Sequence, residues 1–366
     1  MFKGIPNSLR TKIWSFALAS EDEKEDVNPK GEIEKINSKE NTEKAFEYYS
    51  SLVQKVSGQE RQIDLDIERT LRDHIHFKTR FGQGQSQLFR ILVAFSNYCP
   101  NVGYCQGMST ITAFLLLYFD EQSAFQHLCS LFEKLELEGL FSVKFPKLFA
   151  SFHTQEVFMK KKVPKILKHF TKLNIGPSLY APKWYLILFL QVPYQTSLRI
   201  WDLFQVYGYD MLVVCGVSLL KYFEKDLLKM KFEAVVSFLS RLENSEIDSD
   251  DYCKIVFEFW KAYEKLGLRV HYTVEDVDDD QVERVEESNV PKNESESKLA
   301  SDEVPILQLS EVDTPPAAHP NIEDDVSVYI SSSEESFSSP TAQNGSQTNS
   351  SNSSIRYPKF ISLDNV

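Results

Sequence analysis

Apolar residues recur at helical spacing along most of this sequence, and this pattern limits the possible folds more than any other feature. Within residues 85–98, the apolar positions i, i+3, i+4 and i+7 are occupied by Leu88, Ile91, Leu92 and Phe95. Similar patterns follow in later segments, and glycine or proline residues separate them. No segment shows sustained alternation of apolar and polar residues with hairpin turns, so the sequence predicts an all-α protein.

The first helix is predicted over residues 8–18, with Ser8 as its N-cap and an apolar face formed by Leu9, Ile13, Trp14, Phe16 and Ala17. Residues 21–43 are charged and predict an exposed, partly helical connection. The later helices are predicted over residues 45–56, 85–98, 106–119, 121–135, 146–161, 164–173, 182–190, 196–206, 209–228, 232–242 and 250–266.

The composition changes after about residue 273. Residues 275–366 contain 20 acidic and 5 basic residues, so the net charge of −13 comes from this segment and the rest of the chain is close to neutral. Its few aromatic residues cannot bury enough apolar area to offset the loss of conformational entropy. We therefore predict one large helical domain over residues 1–273 and a disordered, acidic and serine-rich tail over residues 274–366.

Composition also excludes several classes of protein. The nearly neutral helical region lacks the basic stripe that nucleic-acid binding needs. The five cysteines have no zinc-site or disulfide-framework spacing, which is typical of reduced thiols in a cytoplasmic protein. The N-terminus has no apolar stretch of a signal peptide. The longest apolar runs are shorter than the ~20 residues of a membrane-spanning helix.

The sequence offers few groups for chemistry of its own. His74 and His76 lie two residues apart and Cys99 and Cys105 six apart, and neither spacing places two metal ligands on one helical face. Residues 82–84 lack the strand and the Lys-Ser/Thr pair of a phosphate-binding loop. We therefore expect no metal and no bound nucleotide, and no cysteine nucleophile.

Two short segments carry a resemblance to a known family. Ile63, Asp66 and Arg69 form an I-x-x-D-x-x-R pattern, and Tyr104 and Gln106 form a Y-x-Q pattern. Both patterns resemble the signatures of the TBC domain, the catalytic domain of GTPase-activating proteins for Rab GTPases. The other matches follow in the family's order over about residues 4–270: Gly4-Ile5-Pro6, Leu9-Arg10, Trp14, Lys183-Trp184, residues 198–202 and Gly208.

The resemblance implies that Arg69 and Gln106 are the arginine and glutamine fingers that such proteins lend to a GTPase. A guanidinium group stabilises negative charge on the transferred phosphoryl group, and an amide can hold the attacking water. Asp66 lies three residues before Arg69 and is expected to orient it, and Tyr104 is expected to support the site. Taken alone, such an arginine is typical of a surface ion pair, and such a glutamine of polar capping.

Other matched residues predict structure rather than chemistry. A tryptophan with an arginine four residues earlier more often packs helices than contacts a substrate. We therefore assign a structural role to Arg10, Trp14, Trp184, Trp201 and Asp202. Members of the family usually have helical sequence before the Gly-Ile-Pro opening, whereas this sequence starts almost there. We expect either incomplete N-terminal packing or a shortened form of the chain.

The resemblance implies a regulator of an enzyme rather than an enzyme. Its partner would be a GTP-bound Rab, which carries the GTP and Mg²⁺, so that the protein needs no cofactor of its own. Residues 64–75 and 103–109 are most similar to the RN-tre-like subgroup, which implies vesicle traffic at endosomal and Golgi membranes. With no lipidation motif or basic amphipathic helix in the sequence, membrane contact is expected to be indirect, through the Rab.

Two alternatives to catalysis remain at this stage. Some relatives keep the fold as Rab-binding scaffolds without activity, and an α-helical adaptor would work through its tail. In the tail, residues 331–335 resemble an acidophilic kinase site, and Thr314-Pro315 and Ser339-Pro340 resemble proline-directed sites. Residues 326–330 have the composition of a strand that pairs with the sheet edge of a partner.

Overall fold

The computed structural model describes residues 4–19 and 39–272, and the regular structure of this part of the chain is entirely helical. The predicted all-α class is therefore confirmed. No helix within these residues is long and apolar enough to cross a membrane. The predicted tail, with its kinase and strand-pairing motifs, lies outside the described residues, as does most of the predicted connection between the first two helices.

One of the first six described helices is central, and four of the others pack against it. These six helices are α1 (Asn7–Leu18), α2 (Lys39–Gln54), α3 (Glu60–Arg69), α4 (Gln83–Tyr98), α5 (Met108–Leu116) and α6 (Glu121–Lys134). Helix α4 packs against α2, α3, α5 and α6. Its predicted apolar positions are all buried, which explains why α4 forms the centre of this half.

The second group of helices is built around another buried helix. In chain order its members are α7 (Glu138–Phe141), α8 (Pro146–Lys162), α9 (Pro164–Lys172), α10 (Pro182–Leu186), α11 (Tyr194–Tyr207), α12 (Asp210–Tyr222), α13 (Glu224–Leu227), α14 (Phe232–Ser240) and α15 (Ser249–Lys265), with short 3₁₀ turns at Pro177–Leu179 and Leu242–Asn244. Helix α12 packs against α8, α11 and α15. Residues 211–220 of α12 are all buried, which matches their continuous apolar sequence.

Several helix ends differ from the prediction because of the local backbone. The predicted helix 182–190 ends at Leu186, and Leu188 and Phe189 adopt positive φ angles of 48° and 61°. The predicted helix 209–228 is divided at Phe223 into two helices. Left-handed residues cannot continue a right-handed helix, and periodicity alone does not reveal where they occur.

The predicted N-cap of α1 is wrong, and its predicted apolar face is right for Trp14 but wrong for Leu9 and Phe16. Pro6 occupies the N-cap position, and the buried residues are Arg10, Trp14 and Leu18. Leu9 and Phe16 are 46% and 42% exposed. The helix is rotated in this way because polar partners inside the protein bind its arginine and its tryptophan.

Those partners centre on Asp202 of α11, whose buried carboxylate fixes α1. The Nε of Arg10 donates to Oδ1 of Asp202 at 2.9 Å, and the Nε1 of Trp14 donates to the same oxygen at 3.0 Å. The backbone N–H of Ile5 donates to Oδ2 at 3.3 Å. Arg10 and Asp202 are 4% and 5% exposed, so they have the structural role that the sequence predicted.

Helix α9 corrects a second expectation, that the chain has no basic amphipathic helix. Its residues Ile166 and Phe170 are buried, whereas Lys165, Lys168 and Lys172 are exposed. The helix itself was predicted over residues 164–173, and what the sequence did not reveal is that its lysines lie on one exposed face opposite buried residues.

A buried histidine lies under α1. His127 of α6 stacks on Phe119 with ring centroids 4.7 Å apart, and its Nε2 lies 2.8 Å from Oε1 of Gln205. Burial lowers the pKa of His127 to about 4, so the ring is neutral in the folded protein at neutral pH. Because the unfolded chain has an ordinary histidine pKa, acid favours unfolding.

We predict that Asp202→Ala destabilises the protein strongly, because it leaves the Arg10 guanidinium buried without its counter-charge. The free energy of unfolding in urea should fall by about 3–5 kcal/mol. Glu258→Ala, which removes the exposed partner of Lys162, is the control and should change it by less than about 1 kcal/mol. Equal effects of the two substitutions would contradict the account of α1.

We also predict a histidine-dependent loss of stability in acid. Below pH 6.5 the unfolded chain binds a proton at His127 that the folded chain does not bind until about pH 4. Stability is therefore lost as the pH falls through this window. The free energy of unfolding in urea is measured at pH 7 and at pH 4.5. Its decrease between the two pH values should be smaller by about 2 kcal/mol in His127→Phe than in the wild type. An identical loss in both proteins would show that His127 is not buried in its neutral form.

Candidate functional site

The buried carboxylate of Asp66 joins the two segments that carry the TBC-like patterns. Asp66 lies in the last turn of α3 and is 2% exposed. Its Oδ1 accepts hydrogen bonds from Nη2 of Arg69 at 2.5 Å and from Nε2 of Gln62 at 3.1 Å. Its Oδ2 accepts from the hydroxyl of Tyr104 at 2.5 Å. Three donors thus compensate the charge for its removal from water.

Arg69 is the last residue of α3, where the chain leaves the helix. Thr70 follows in an extended conformation, which ends the helix directly after the arginine. The Arg69 side chain is 26% exposed, and only its Nη2 is bound by Asp66. The Nε of Arg69 is buried and has no hydrogen-bond partner within residues 4–19 and 39–272. The guanidinium is therefore oriented by Asp66 while most of its donors stay available to a ligand.

Gln106 lies in the turn that precedes α5, two residues earlier than the helix itself. The sequence predicted that the helix starts at Gln106, but Gly107 has a φ of 99° and separates the two. A Cβ atom on Gly107 would lie 3.1 Å from Cγ2 of Ile187, so both conformation and space favour glycine there. Gln106 is half-buried, and its side chain has no hydrogen-bond partner among the described residues.

Tyr104 fixes the start of this turn to α3. The side chain is 7% exposed, and burial, followed by the nearby charge of Asp66, raises the pKa of the Tyr104 phenol far above its usual range. The phenol is therefore protonated at neutral pH and serves as a hydrogen-bond donor to Asp66. Tyr104 is thus in direct contact with Asp66, the residue that also binds Arg69.

A second contact joins the same two segments and was not predicted from the sequence. The hydroxyl of Thr70 donates to the backbone carbonyl of Asp66 at 2.6 Å and lies 2.9 Å from the hydroxyl of Ser109. Thr70 is the neighbour of Arg69, and Ser109 lies three residues after Gln106 in the first turn of α5. Two contacts, Tyr104 with Asp66 and Thr70 with Ser109, thus join the end of α3 that carries Arg69 to the segment that carries Gln106.

Cys105 lies between Tyr104 and Gln106 but does not act as a nucleophile in this environment. Its Sγ donates to the backbone carbonyl of Phe141 at 3.3 Å, and burial raises the pKa of the thiol to about 11. A thiol with this pKa is protonated at neutral pH. All five cysteines are free, as the sequence analysis expected.

Two exposed apolar side chains, one on α3 and one in the loop before α4, were not predicted from the sequence. Leu65 of α3 is 53% exposed, and Phe81, in the loop before α4, is 75% exposed. Arg80 links the two segments that carry these side chains. Its guanidinium binds Asp64, the neighbour of Leu65, at 2.6 Å and lies 4.1 Å from the centre of the Phe81 ring. An isolated aromatic residue in a glycine- and glutamine-rich loop was the only signal in the sequence. We refer to Asp64, Leu65, Arg80 and Phe81 as the α3 rim.

A family model described as the Rab-GTPase-TBC domain matches residues 7–228 of this chain. The match covers more than half of the sequence, so the chain belongs to the Rab-GTPase-TBC domain family. The helical fold and the ordered motifs agree with this assignment.

Curated relatives extend beyond the region that they share with this chain. A TBC domain-containing protein of Schizosaccharomyces pombe is 32% identical over 268 residues, which cover 71% of this chain and 59% of that protein. TBC1 domain family member 14 of Homo sapiens is 34% identical over 253 residues, or 66% of this chain and 36% of the human protein. This chain therefore spans between about a third and three fifths of the length of these relatives.

Two solved structures share the fold. The Chlamydomonas flagellar RabGAP TBC domain superposes with a TM-score of 0.57 at 24% sequence identity, covering 71% of this chain and 81% of that one. The YPT/RAB-GAP domain of Gyp1p gives a TM-score of 0.58 at 16% identity, covering 73% and 91%. At these identities the similarity establishes the arrangement of helices.

We predict that Tyr104→Phe destabilises the protein, because Oδ2 of Asp66 loses its donor while it stays buried. The free energy of unfolding in urea should fall by about 1–3 kcal/mol. Tyr98→Phe, which removes a hydrogen bond to Glu133 at the surface, is the matched control and should have a smaller effect. If Tyr104→Phe were as stable as the wild type, Tyr104 would not be the residue that joins the two segments.

Proposed function

We propose that this protein accelerates GTP hydrolysis by a Rab-family GTPase, with Arg69 and Gln106 as the two catalytic side chains supplied in trans. The protein is thus a regulator of an enzyme. GTP, Mg²⁺ and the attacking water arrive with the GTPase, and this chain contributes charge and positioning to the shared site.

The observation that supports this proposal best is the double connection between the end of α3 and the turn before α5. Asp66 binds both Arg69 and Tyr104, and the hydroxyls of Thr70 and Ser109 meet on the other side. Two side chains that act on one small phosphoryl group must be held at a fixed separation. A site supported by packed helices and buried hydrogen bonds provides that rigidity.

The chemistry of the two side chains suits phosphoryl transfer. Arg69 stays positively charged, and its planar donors can bind the equatorial and bridging oxygens on which negative charge develops. The Gln106 amide can accept a hydrogen bond from a water and donate one at the same time. Its lack of a partner within the described residues leaves both groups available for that task.

The α3 rim supports docking of a protein rather than of a small molecule. Leu65 and Phe81 present exposed apolar surface beside a charged side chain, and a protein partner can cover such a surface. The ion pair of Arg80 with Asp64 connects the loop that carries Phe81 to α3. We propose that the GTPase covers this rim when Arg69 enters its nucleotide site.

The cellular setting follows from the proposed partner. Rab GTPases act in vesicle traffic, so we place the protein in the cytoplasm and transiently at endosomal or Golgi membranes. The finer placement in the RN-tre-like subgroup stays a prediction, since the relatives named above do not carry that name.

We predict that the full-length protein accelerates single-turnover GTP hydrolysis by at least one member of a panel of Rab proteins. Arg69→Ala should remove ~10³-fold or more of the acceleration, because the negative charge that develops on the transferred phosphoryl group then keeps only the groups of the GTPase and its Mg²⁺. Gln106→Ala should also abolish it. Arg69→Lys should fail as well, since lysine cannot reproduce the planar set of donors.

Arg61→Ala is the matched control, because Arg61 is an exposed arginine on the same helix two turns before Arg69. It should perform like the wild type. If the wild type and Arg69→Ala accelerated hydrolysis equally on every Rab, the catalytic proposal would be wrong. Tight binding to a GTP-bound Rab without any acceleration would identify a Rab-binding scaffold instead.

A further inference from the structure

A long segment of this chain contains basic residues and no acidic ones. Between Glu156 and Asp202, residues 157–201 include seven lysines and one arginine and not one aspartate or glutamate. This segment forms the end of α8, the whole of α9 and the chain up to the middle of α11. The overall acidity of the protein conceals this local excess of positive charge.

Three of these lysines share one face of α9, and two others are exposed in the turn of α8 that precedes it. In α9, Lys165, Lys168 and Lys172 follow one another at i, i+3 and i+7, which places them on one face of the helix. They are exposed on the side opposite the buried Ile166 and Phe170. The exposed Lys160 and Lys161 in the last turn of α8 directly precede this face, because the two helices meet at Val163.

Most of these lysines have no counter-charge. Within residues 4–19 and 39–272, Lys160, Lys161, Lys165, Lys168 and Lys172 form no ion pair or hydrogen bond through their side chains. Their neighbour Lys162 is different, since it is largely buried and pairs with Glu258 at 3.0 Å. Unpaired like charges repel one another. Binding of an anionic partner therefore lowers the electrostatic free energy of this surface.

A second basic segment lies beside α9 and adds apolar side chains. The Nε2 of His169 donates to the backbone carbonyl of Met230 at 3.0 Å, which fixes residues 228–232 next to the helix. In this segment, exposed lysines alternate with exposed apolar residues. Lys229 and Lys231 lie between Leu228, which is 36% exposed, and Phe232, which is 43% exposed. Lys229 also contacts the exposed Asp226 at 3.5 Å.

Lysines interleaved with exposed apolar side chains fit the interface of an anionic lipid bilayer. Ammonium groups bind phosphate and carboxylate headgroups, and apolar side chains enter the boundary with the acyl chains. An acidic peptide would use the charge but would leave the alternating Leu228 and Phe232 without a role. Nucleic-acid recognition would favour arginine, and the described side chains of this surface include none.

We propose that Lys160, Lys161, Lys165, Lys168, Lys172, Lys229 and Lys231, together with Leu228 and Phe232, form a surface that binds anionic membrane lipids directly. We refer to these residues as the α9 basic surface. This contact is additional to the indirect one through a lipidated GTPase that the sequence analysis expected.

The α9 basic surface and the candidate catalytic site lie near opposite ends of α8. The N-terminal end of α8 follows Phe141, whose carbonyl binds Cys105 beside Gln106, and the C-terminal end of α8 carries Lys160 and Lys161. A helix of this length separates its two ends by ~25 Å. The α9 basic surface therefore begins ~25 Å from the end of α8 that lies near Gln106.

The test is sedimentation of the full-length protein with vesicles, in which the bound fraction is measured. Vesicles of equal parts phosphatidylserine and phosphatidylcholine should bind the wild type, and vesicles of phosphatidylcholine alone should not. The triple variant Lys165→Glu, Lys168→Glu, Lys172→Glu should bind the anionic vesicles with an affinity that is lower than that of the wild type by a factor of roughly ten or more. Phe232→Ser should also reduce binding to the anionic vesicles. This reduction should be the same at low and high salt, because the contribution of Phe232 is apolar and salt screens only charges.

The matched control is the triple variant Lys12→Glu, Lys55→Glu, Lys134→Glu, which has the same net charge and changes exposed lysines on α1, after α2 and on α6. It should bind like the wild type. Equal binding of both triple variants would overturn the proposal, as would a wild type that does not distinguish the two kinds of vesicle. If the α9 variant kept its vesicle binding but lost affinity for a peptide of residues 275–287, the surface would belong to the acidic segment of the chain instead.

Discussion

The arrangement of the candidate site depends on one buried negative charge, the carboxylate of Asp66. A carboxylate that is 2% exposed is stable only when donors replace the water it has lost. These donors come from two segments that are distant in the sequence, since Gln62 and Arg69 belong to α3 and Tyr104 to the turn before α5. The need to satisfy this charge therefore holds the arginine and the glutamine segment together.

The same protein uses a buried carboxylate in a second place, and the comparison shows what distinguishes Arg69. Asp202 binds Arg10 and Trp14, much as Asp66 binds Arg69 and Tyr104. All three guanidinium nitrogens of Arg10 are engaged within the protein, by Asp202, Asn7 and the carbonyl of Ile5. Arg69 uses only one nitrogen and is partly exposed. Arg10 therefore holds helices together, whereas Arg69 keeps hydrogen-bond donors that the described residues do not use.

Local sequence patterns were sufficient for the class of fold and for many helices. The apolar spacing in α4 and the continuous apolar sequence of α12 are direct consequences of burial on one face and on all faces. The same reasoning was only partly right for α1, since it included the buried Trp14 but also the exposed Leu9 and Phe16. The hydrogen bonds to Asp202, almost two hundred residues away, determine its rotation, and no local pattern contains that information.

The candidate site shows the same limit. The sequence supplied Arg69, Gln106, Asp66 and Tyr104, and it placed Asp66 on the correct turn to bind Arg69. It did not supply the contact between Thr70 and Ser109, which are 39 residues apart, or the stacking of Arg80 on Phe81. The left-handed Gly107, which ends the turn carrying Gln106, also depends on how close α5 lies to Ile187.

The central claim is that Arg69 stabilises charge that exists only in the transition state, and its most direct test is binding to a GTPase that mimics that state. The measurement compares the affinity of the protein for Rab·GDP with and without aluminium fluoride, which imitates the transferred phosphoryl group. The account predicts much tighter binding with aluminium fluoride, and loss of that increase in Arg69→Ala. An affinity that aluminium fluoride does not change, or an increase that survives in Arg69→Ala, would contradict it.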